Sequence, residues 1–214
     1  MERRYKHPRI GHLPWSKFAD LDDVRDVSTS WLEGHEVVTL EKRDGENATL
    51  YRDGHHARSI TPSPHPSRSK LAALHASISH AIPEGIRICG ENVSAQHTLR
   101  YHALRSIFEG FAAWRGERCL AWDETTALLS ELGLACVPVI WRGTWDEATI
   151  RSINVLSLPG DPCEGYVVRP TAAIDMEDFP CAVLKCRCIR IETDKHWMQR
   201  PVSWNCTTQD CHHG

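Results

Sequence analysis

The sequence predicts an α+β fold in which strands outnumber helices. Strand-like runs cluster near the beginning and near the end of the 214-residue chain, and the helical patterns lie between them. The connections are hairpin turns and long excursions rather than regular βαβ crossovers, which is typical of α+β domains. Because no linker interrupts the pattern, we expect one domain over residues 1–200 and a flexible tail over residues 201–214.

The first predicted elements surround a lysine. Two short apolar runs, residues 37–40 and 48–51, have the β-branched bias of strands. Asp44-Gly45 lies between them and Asp53-Gly54 follows, and both dipeptides are strong hairpin signals that predict a β-meander. Lys42, at the inner edge of the first turn, is then either a solvated turn residue or a side chain held at a strand end and directed into a pocket.

The later elements follow from caps, breakers and apolar runs. Ser67, Asp123 and Thr144 stand where helix N-caps are expected, and Gly133 stands where a helix would end. Gly110 within a strand indicates a bulge or a close approach. The predicted helices cover residues 68–81, 123–132 and 144–156, and the predicted strands cover residues 86–89, 107–114, 136–141, 165–169 and 182–187.

Composition excludes several classes of protein. A net charge of −3 argues against a strongly basic nucleic-acid coat, although a local basic groove remains compatible with it. The sequence contains neither a signal-peptide core nor an apolar run long enough to cross a membrane. The nine cysteines lie mostly in apolar runs, which is typical of reduced thiols in a cytoplasmic protein. Cys206, Cys211, His212 and His213 lack paired CxxC spacing, which favours a frayed terminus over a metal site.

A nucleophilic lysine needs a particular environment. The neutral amine is the reactive form, and at pH 7 an ordinary lysine pays roughly 4.6 kcal/mol to reach it. Neighbouring cations, a metal or burial must therefore lower the lysine pKa. If Lys42 is a nucleophile, we expect cations around it and acidic residues that hold a divalent metal on a phosphate.

Downstream residues supply both kinds of charge. Glu91 follows a glycine at the end of a predicted strand, and Glu164 opens another strand. Lys185 and Arg187 lie two residues apart, so that in a strand both project from one face. Each feature alone is weak, because such residues commonly form turns and solvated faces. Their order after Lys42 is what favours a shared site.

The ordered set resembles a known superfamily. Residues 41–47, EKRDGEN, resemble the KxDG motif of ATP-dependent ligases and mRNA capping enzymes. The form KxDGxN, together with EGYVVRP and LKCR, resembles the RNA ligases over residues 8–200, particularly the bacteriophage RNA ligase 2 type and its small single-domain relatives. This resemblance implies a nucleotidyltransferase (ATP-grasp-like) domain of two mainly antiparallel sheets with flanking helices, and a nucleotide in the groove between them. The motifs after KxDG follow in the superfamily order: GE at 90–91, FAAW at 111–114, EGYVVR at 164–169 and KCR at 185–187.

The resemblance also implies residue roles. Lys42 would attack the α-phosphorus of ATP, release pyrophosphate and carry AMP, with Lys185 as a second catalytic residue. Lys185 and Arg187 would hold the phosphates, and Trp114 would stack on the adenine. Asn47 would orient the reacting phosphate, and Arg58 would contact the phosphate of AMP or of the RNA end. The other implied nucleotide-binding residues are Glu41, Glu91 and Glu164, of which the last two would also position Mg²⁺ or Mn²⁺.

The implied reaction leaves alternatives. AMP would pass from the enzyme to an RNA 5′-phosphate, and a 3′-hydroxyl would displace it to seal the strand. Larger ligases continue into a further domain that helps to bind nucleic acid. The resemblance therefore implies that this chain binds its substrate weakly, uses a protein partner in place of that domain, or relies on a compact surface of its own. A DNA ligase, a GTP-dependent capping enzyme and a nucleotide- or RNA-end-binding protein that needs a partner to seal remain alternatives.

Overall fold

The computed structural model describes residues 2–18, 24–25, 27–61, 64–158, 160–189 and 201–208. It confirms the α+β class, because strands dominate and helices are few. The strands are β1 (Gly11–His12), β2 (Glu36–Lys42), β3 (Glu46–Tyr51), β4 (Gly54–Ala57), β5 (Ile86–Asn92), β6 (Phe108–Arg115), β7 (Arg118–Cys119), β8 (Ala135–Cys136), β9 (Val139–Thr144), β10 (Gly165–Pro170), β11 (Ile174–Asp175) and β12 (Leu184–Arg187). The α-helices are α1 (Ser69–Ile78), α2 (Trp122–Glu131), α3 (Glu147–Ser152) and α4 (Phe179–Ala182).

The strands form two sheets. The first sheet has the order β1–β12–β10–β2–β9, and β1 runs parallel to β12 while the other neighbours are antiparallel. The second sheet has the order β11–β7–β6–β5–β3–β4, and the short β8 pairs parallel to β6. The expected architecture of two mainly antiparallel sheets with flanking helices is therefore present.

Apolar side chains fill the space between the sheets and beneath the helices. One buried cluster contains Trp114 of the second sheet, Phe179 of α4 and Val183 beside β12. Helices α1 and α2 cover the second sheet through residues such as Leu71 and Leu129. At Gly110 the expected close approach is present, since a Cβ there would lie 2.5 Å from the side chain of Leu129.

The predicted turn at Asp44-Gly45 is not a hairpin. Strand β2 pairs with β10 and β9 in the first sheet, whereas β3 pairs with β4 and β5 in the second. The segment 43–45 therefore carries the chain from one sheet to the other. At Asp53-Gly54 the prediction is confirmed, because β3 and β4 form an antiparallel hairpin around it.

The predicted helix caps are also partly wrong. Helix α3 begins at Glu147, and its N-cap is Asp146, whose side chain accepts a hydrogen bond from the Thr149 N–H, rather than Thr144. Helix α2 begins one residue earlier than predicted, and Glu124 accepts a hydrogen bond from the Ala121 N–H. Ser67 lies in a 3₁₀ turn before α1 instead of capping it. Of these three helices, only α3 has an N-cap side chain that accepts from an N–H group of its first turn.

Part of the expected tail packs on the domain. Residues 201–208 contact the loop between β5 and β6 through isolated bridges that pair Ala95 with Trp204 and Leu104 with Thr207. Asn205 is buried, and its side chain accepts from the Tyr101 N–H at 3.0 Å and donates to the Val93 carbonyl at 2.9 Å. This differs from a flexible tail beginning at residue 201. Cys211, His212 and His213 lie outside the described residues.

Two other expectations from the sequence concern the state of the cysteines and the presence of a membrane-spanning helix. The described cysteines are free thiols, of which Cys89 is buried, Cys136 is half-buried and Cys181 is exposed. In the described ranges, every helix is too short or too polar to span a bilayer.

The buried hydrogen bonds of Asn205 give the first prediction. Asn205→Ala should lower the free energy of unfolding by about 1 to 3 kcal/mol, because a buried N–H and a buried carbonyl lose their partners. Urea unfolding of the two proteins measures this difference, with Thr208→Ala as the control because that side chain is exposed. Equal stability of Asn205→Ala and the wild type would show that the segment does not brace the domain.

Candidate active site

A cavity of about 390 Å³ opens between the two sheets. One part of its wall is charged, and another part is apolar and includes Leu40, Phe111 and Phe179. Every site residue that the sequence predicted lines this cavity except Trp114: Glu41, Lys42, Asn47, Arg58, Glu91, Glu164, Lys185 and Arg187.

Strand register explains why residues distant in sequence meet here. In the first sheet, β10 lies between β2 and β12, and Gly165 stands opposite both Lys42 and Arg187. A Cβ at Gly165 would lie 1.9 Å from the carbonyl oxygen of Cys186, so the pairing of β10 with β12 requires glycine at this position. In the second sheet, Asn47 of β3 stands opposite Glu91 of β5.

The carboxylate of Glu164 joins two cations. Lys42 Nζ donates to Glu164 Oε2 at 2.5 Å, and Arg187 Nε lies 2.8 Å from Glu164 Oε1. The Glu164 side chain is only 4% exposed, so both contacts form away from bulk water. In such surroundings, an ion pair satisfies charges that would be costly to bury alone.

This contact changes the expected state of the lysine. Burial by itself lowers the pKa of Lys42, but the charge of Glu164, its hydrogen bond and the charge of Glu91 outweigh burial and raise that pKa above its usual value. Arg187 opposes this effect only weakly. Burial and Arg187 thus act in the expected direction, but the two carboxylates outweigh them, and Lys42 rests as an ammonium group in the protein without ligand.

Glu91 lies nearby in a different state. Burial raises the pKa of Glu91 to about 8, with further contributions from the negative charges of Glu164 and Asp44, while Lys42 opposes the rise. A substantial fraction of this carboxyl group is therefore protonated near neutral pH. Glu164, by contrast, has two cations in contact.

The turn after Lys42 is held by buried polar contacts. Arg43 donates from Nε to the buried Glu109 at 2.7 Å and pairs with Glu41 at 2.9 Å. The Asp44 carboxylate accepts from the N–H groups of residues 98 and 99 at 2.8 and 2.6 Å. The Tyr101 hydroxyl accepts from the Asp44 N–H at 2.8 Å. Arg43 and Asp44, the two residues that follow Lys42 in the motif, therefore fix the backbone that presents Lys42.

Trp114 does not occupy the position expected of it. Its ring is fully buried, 4.8 Å from the ring of Phe179 and beneath the Arg87 guanidinium at 4.6 Å. Phe111, three residues earlier in β6, lines the cavity instead. Phe111 is passed over between Gly110 and Ala112 in the pairing of β6 with β5, and this bulge breaks the regular alternation of the strand. The His7 ring meets both Phe111 and Trp114 edge-on, but only Phe111 of the two lines the cavity.

Sequence reasoning missed several cavity residues. Arg169 lines the cavity and donates to the carbonyls of Phe111 and Leu120 at 3.3 and 2.9 Å. His7 and Phe179 also line it, and no local motif marks either residue. For Phe111, the available signal was Gly110, which precedes it and indicated the bulge that the structure has at this point of β6.

The donor set fits a metal only in part. Among the described residues, no group of three or more histidine, cysteine or acidic side chains could hold a metal ion. The cavity does present Glu91 and Glu164, and Asn47 Oδ1 is buried without a hydrogen-bond partner. Mg²⁺ commonly takes one or two protein carboxylates together with substrate phosphates. The chain therefore suits a metal that arrives with a phosphate ligand.

Comparisons with known proteins agree on a family. The family model for RNA ligase matches residues 35–187, about seven-tenths of the chain. No curated protein sequence gives a significant match.

Solved structures share the fold at low identity. An archaeal ATP-dependent RNA ligase is 19% identical with a TM-score of 0.54, over 84% of this chain and 47% of that one. The Naegleria gruberi RNA ligase with PPi is 14% identical with a TM-score of 0.51, over 87% and 61% of the two chains. A protein assigned as an ATP-dependent DNA ligase of Aquifex aeolicus is 17% identical with a TM-score of 0.54, over 86% and 50%. The chain thus spans about half to three-fifths of these structures.

The raised pKa of Glu91 gives a prediction with a definite sign. Its folded-state pKa is about 8 against an ordinary 4.5, so the stability that the protonated group contributes is present below about pH 4.5 and is lost as the pH rises through 8. Glu91→Gln removes this titration. Relative to wild type, the variant should gain on the order of 1 to 3 kcal/mol in unfolding free energy between pH 5 and pH 9.

Urea unfolding at pH 5, 7 and 9 measures this change. Glu131→Gln, at an exposed helix end, is the matched control. If the stability difference between wild type and Glu91→Gln stayed constant over this range, Glu91 would not be a proton-binding group of the folded cavity.

Proposed function

We propose, from the premise that this chain belongs to the RNA ligase family, that it is an ATP-dependent RNA ligase working through AMP carried on Lys42. The observation that carries the proposal is Lys42 Nζ in the cavity wall, bound to Glu164 and accompanied by Lys185 and Arg187. A primary amine among cations suits attack on a phosphoryl group, because the cations offset the negative charge of the phosphates.

The first step follows from these contacts. Lys42 gives a proton to Glu164, whose Oε2 lies 2.5 Å away, and the amine attacks the α-phosphorus of ATP. A P–N bond forms as the P–O bond to pyrophosphate breaks, and the second amine proton leaves with the pyrophosphate. Lys185 and Arg187 hold the phosphates and stabilise the leaving group. The Naegleria gruberi RNA ligase was solved with PPi, which is consistent with a pyrophosphate product in this fold.

The adenine base is proposed to contact the apolar part of the cavity wall, and the phosphates are proposed to contact the charged part. Phe111 replaces Trp114 as the proposed stacking ring, because it is the β6 aromatic residue that reaches the cavity. Asn47 is proposed to orient the reacting phosphate, and Arg58 to contact the phosphate of AMP or of the RNA end. Glu41 is proposed to contribute to nucleotide binding from the strand that carries Lys42.

Glu91 and Glu164 are the proposed protein contacts of Mg²⁺ or Mn²⁺. A divalent metal bound there supplies positive charge to the triphosphate. That charge would also favour the deprotonated forms of Glu91 and of Lys42, which are both protonated to a large extent in the protein without ligand.

The later steps need nucleic-acid ends. AMP passes to an RNA 5′-phosphate, and a 3′-hydroxyl then attacks that phosphate and releases AMP. The similarity to a protein assigned as a DNA ligase keeps DNA sealing as a second candidate.

Replacement of the nucleophile tests this function. Lys42→Ala should reduce covalent AMP transfer to below about a thousandth of the wild-type rate, because no other cavity group is proposed to form the adduct. Lys42→Arg is the matched control, since it keeps a cation beside Glu164 but its guanidinium group stays charged and is not a nucleophile. Intact-protein mass spectrometry after incubation with ATP and Mg²⁺ detects the gain of one AMP.

The same assay separates the alternatives. Labelling that persists in both variants would contradict the assignment of Lys42. Preferential labelling by GTP would favour a capping enzyme, and sealing of nicked DNA but not of RNA-containing duplexes would favour a DNA ligase. Nucleotide binding without any mass gain in wild type would favour a binding protein.

A further inference from the structure

The segment before the family match contributes a wall of the cavity. We define the N-terminal strap as residues 2–10, which precede the matched region beginning at residue 35. At one end, Arg4 pairs with Asp53 at 2.6 Å, and the Tyr5 N–H donates to the Tyr51 hydroxyl at 2.9 Å. At the other end the chain enters β1, which pairs with β12. The strap therefore runs from the second sheet to the first across the cavity.

The middle of the strap faces the apolar part of that cavity. Residues 7–10 all line it. The His7 ring meets Phe111 edge-on with centroids 5.3 Å apart, and it meets Phe179 in the same way at 5.4 Å. Both phenylalanines line the cavity as well. His7 thus belongs to the aromatic end, where a flat base would find stacking surfaces.

One ring nitrogen of His7 has no hydrogen-bond partner within the described part of the chain. Its Nδ1 is buried and has no partner there. Burial lowers the pKa of His7 to about 3, and the charges of Arg87, Arg58 and Arg169 act in the same direction. The imidazole is therefore neutral near pH 7, with one N–H donor and one nitrogen lone pair. A buried polar group without a partner is costly, and a ligand can satisfy it.

We propose that the strap closes the base end of the nucleotide cavity and that the neutral His7 ring contacts the nucleobase and favours ATP over GTP. The imidazole lone pair accepts a hydrogen bond from the exocyclic amino group of adenine. Guanine carries a carbonyl oxygen at that position, which offers no proton to a lone pair. The proposal rests on the proposed function, since it concerns the nucleotide of the same reaction.

His7→Phe and His7→Ala test the proposal. The phenylalanine variant keeps an aromatic ring between Phe111 and Phe179 and removes only the ring nitrogens, whereas the alanine variant also removes the packing. The assay measures the KM and kcat of Lys42 labelling with ATP and, separately, with GTP. His80→Ala, at an exposed position after α1, is the matched control.

For His7→Phe, the KM for ATP should rise about 10-fold while kcat and the KM for GTP change less than about twofold, because one hydrogen bond to adenine is lost. The preference for ATP over GTP should fall by the same factor. His7→Ala should weaken ATP further, and His80→Ala should match wild type. An unchanged preference in His7→Phe would show that His7 only packs, and it would overturn the proposal.

A binding measurement separates this proposal from the proposed function. If wild type forms no covalent adduct, calorimetric titration of ATP into wild type and His7→Phe decides the role of His7 alone. Weaker binding of ATP by about 10-fold in the variant supports the base contact without ligase activity. Equal affinities, or no binding to wild type, overturn it.

Discussion

The site depends on one buried carboxylate, that of Glu164. Glu164 directly precedes β10, and its carboxylate contacts Lys42 of β2 and Arg187 of β12, the strands on either side of β10. Gly165, the next residue, allows β12 to approach closely enough for this arrangement. Removing one member of such a cluster leaves the other charges buried without a partner, which is strongly destabilising. The geometry of the nucleophile and the packing of the first sheet are therefore linked through a single side chain.

In the proposed mechanism, this link also determines when Lys42 can react. Without ligand, the neighbouring carboxylates keep Lys42 as an ammonium group, and the Glu91 carboxyl group is itself partly protonated near neutral pH. A bound triphosphate and its metal would bring new charges into the cavity and change both pKa values. In the proposed mechanism, the nucleophile is thus released by its own substrate, which protects the amine from unproductive reactions between turnovers.

Sequence reasoning found most of the charged site because each residue carries its own motif. Register within the first sheet places Arg187 and the residue after Glu164 beside Lys42. Glu91 lies in the second sheet and shares the cavity with Lys42 because that cavity opens between the two sheets. The hairpin at Asp44-Gly45 could not be excluded from local sequence. Its Asp side chain binds backbone groups more than fifty residues away, and those contacts hold a crossover instead of a hairpin.

Contacts between residues that are far apart in the sequence could not be predicted, for the same reason. Because β6 is bulged at Phe111, strand alternation could not show that Phe111 rather than Trp114 lines the cavity. Nothing near His7 or Asn205 in sequence shows that the first residues line the cavity or that residues 201–208 pack against the loop that holds Asp44. Tertiary packing determines these features, and only the assembled fold shows them.

The central claim is that Glu164 sets the protonation state of Lys42. An NMR titration of the Lys42 amine, assigned by its loss in Lys42→Arg, measures that pKa directly in wild type and in Glu164→Gln. The account predicts a wild-type pKa above the ordinary lysine value and a clear fall in Glu164→Gln, because Arg187 then acts without its counter-ion. Equal pKa values in the two proteins would contradict it.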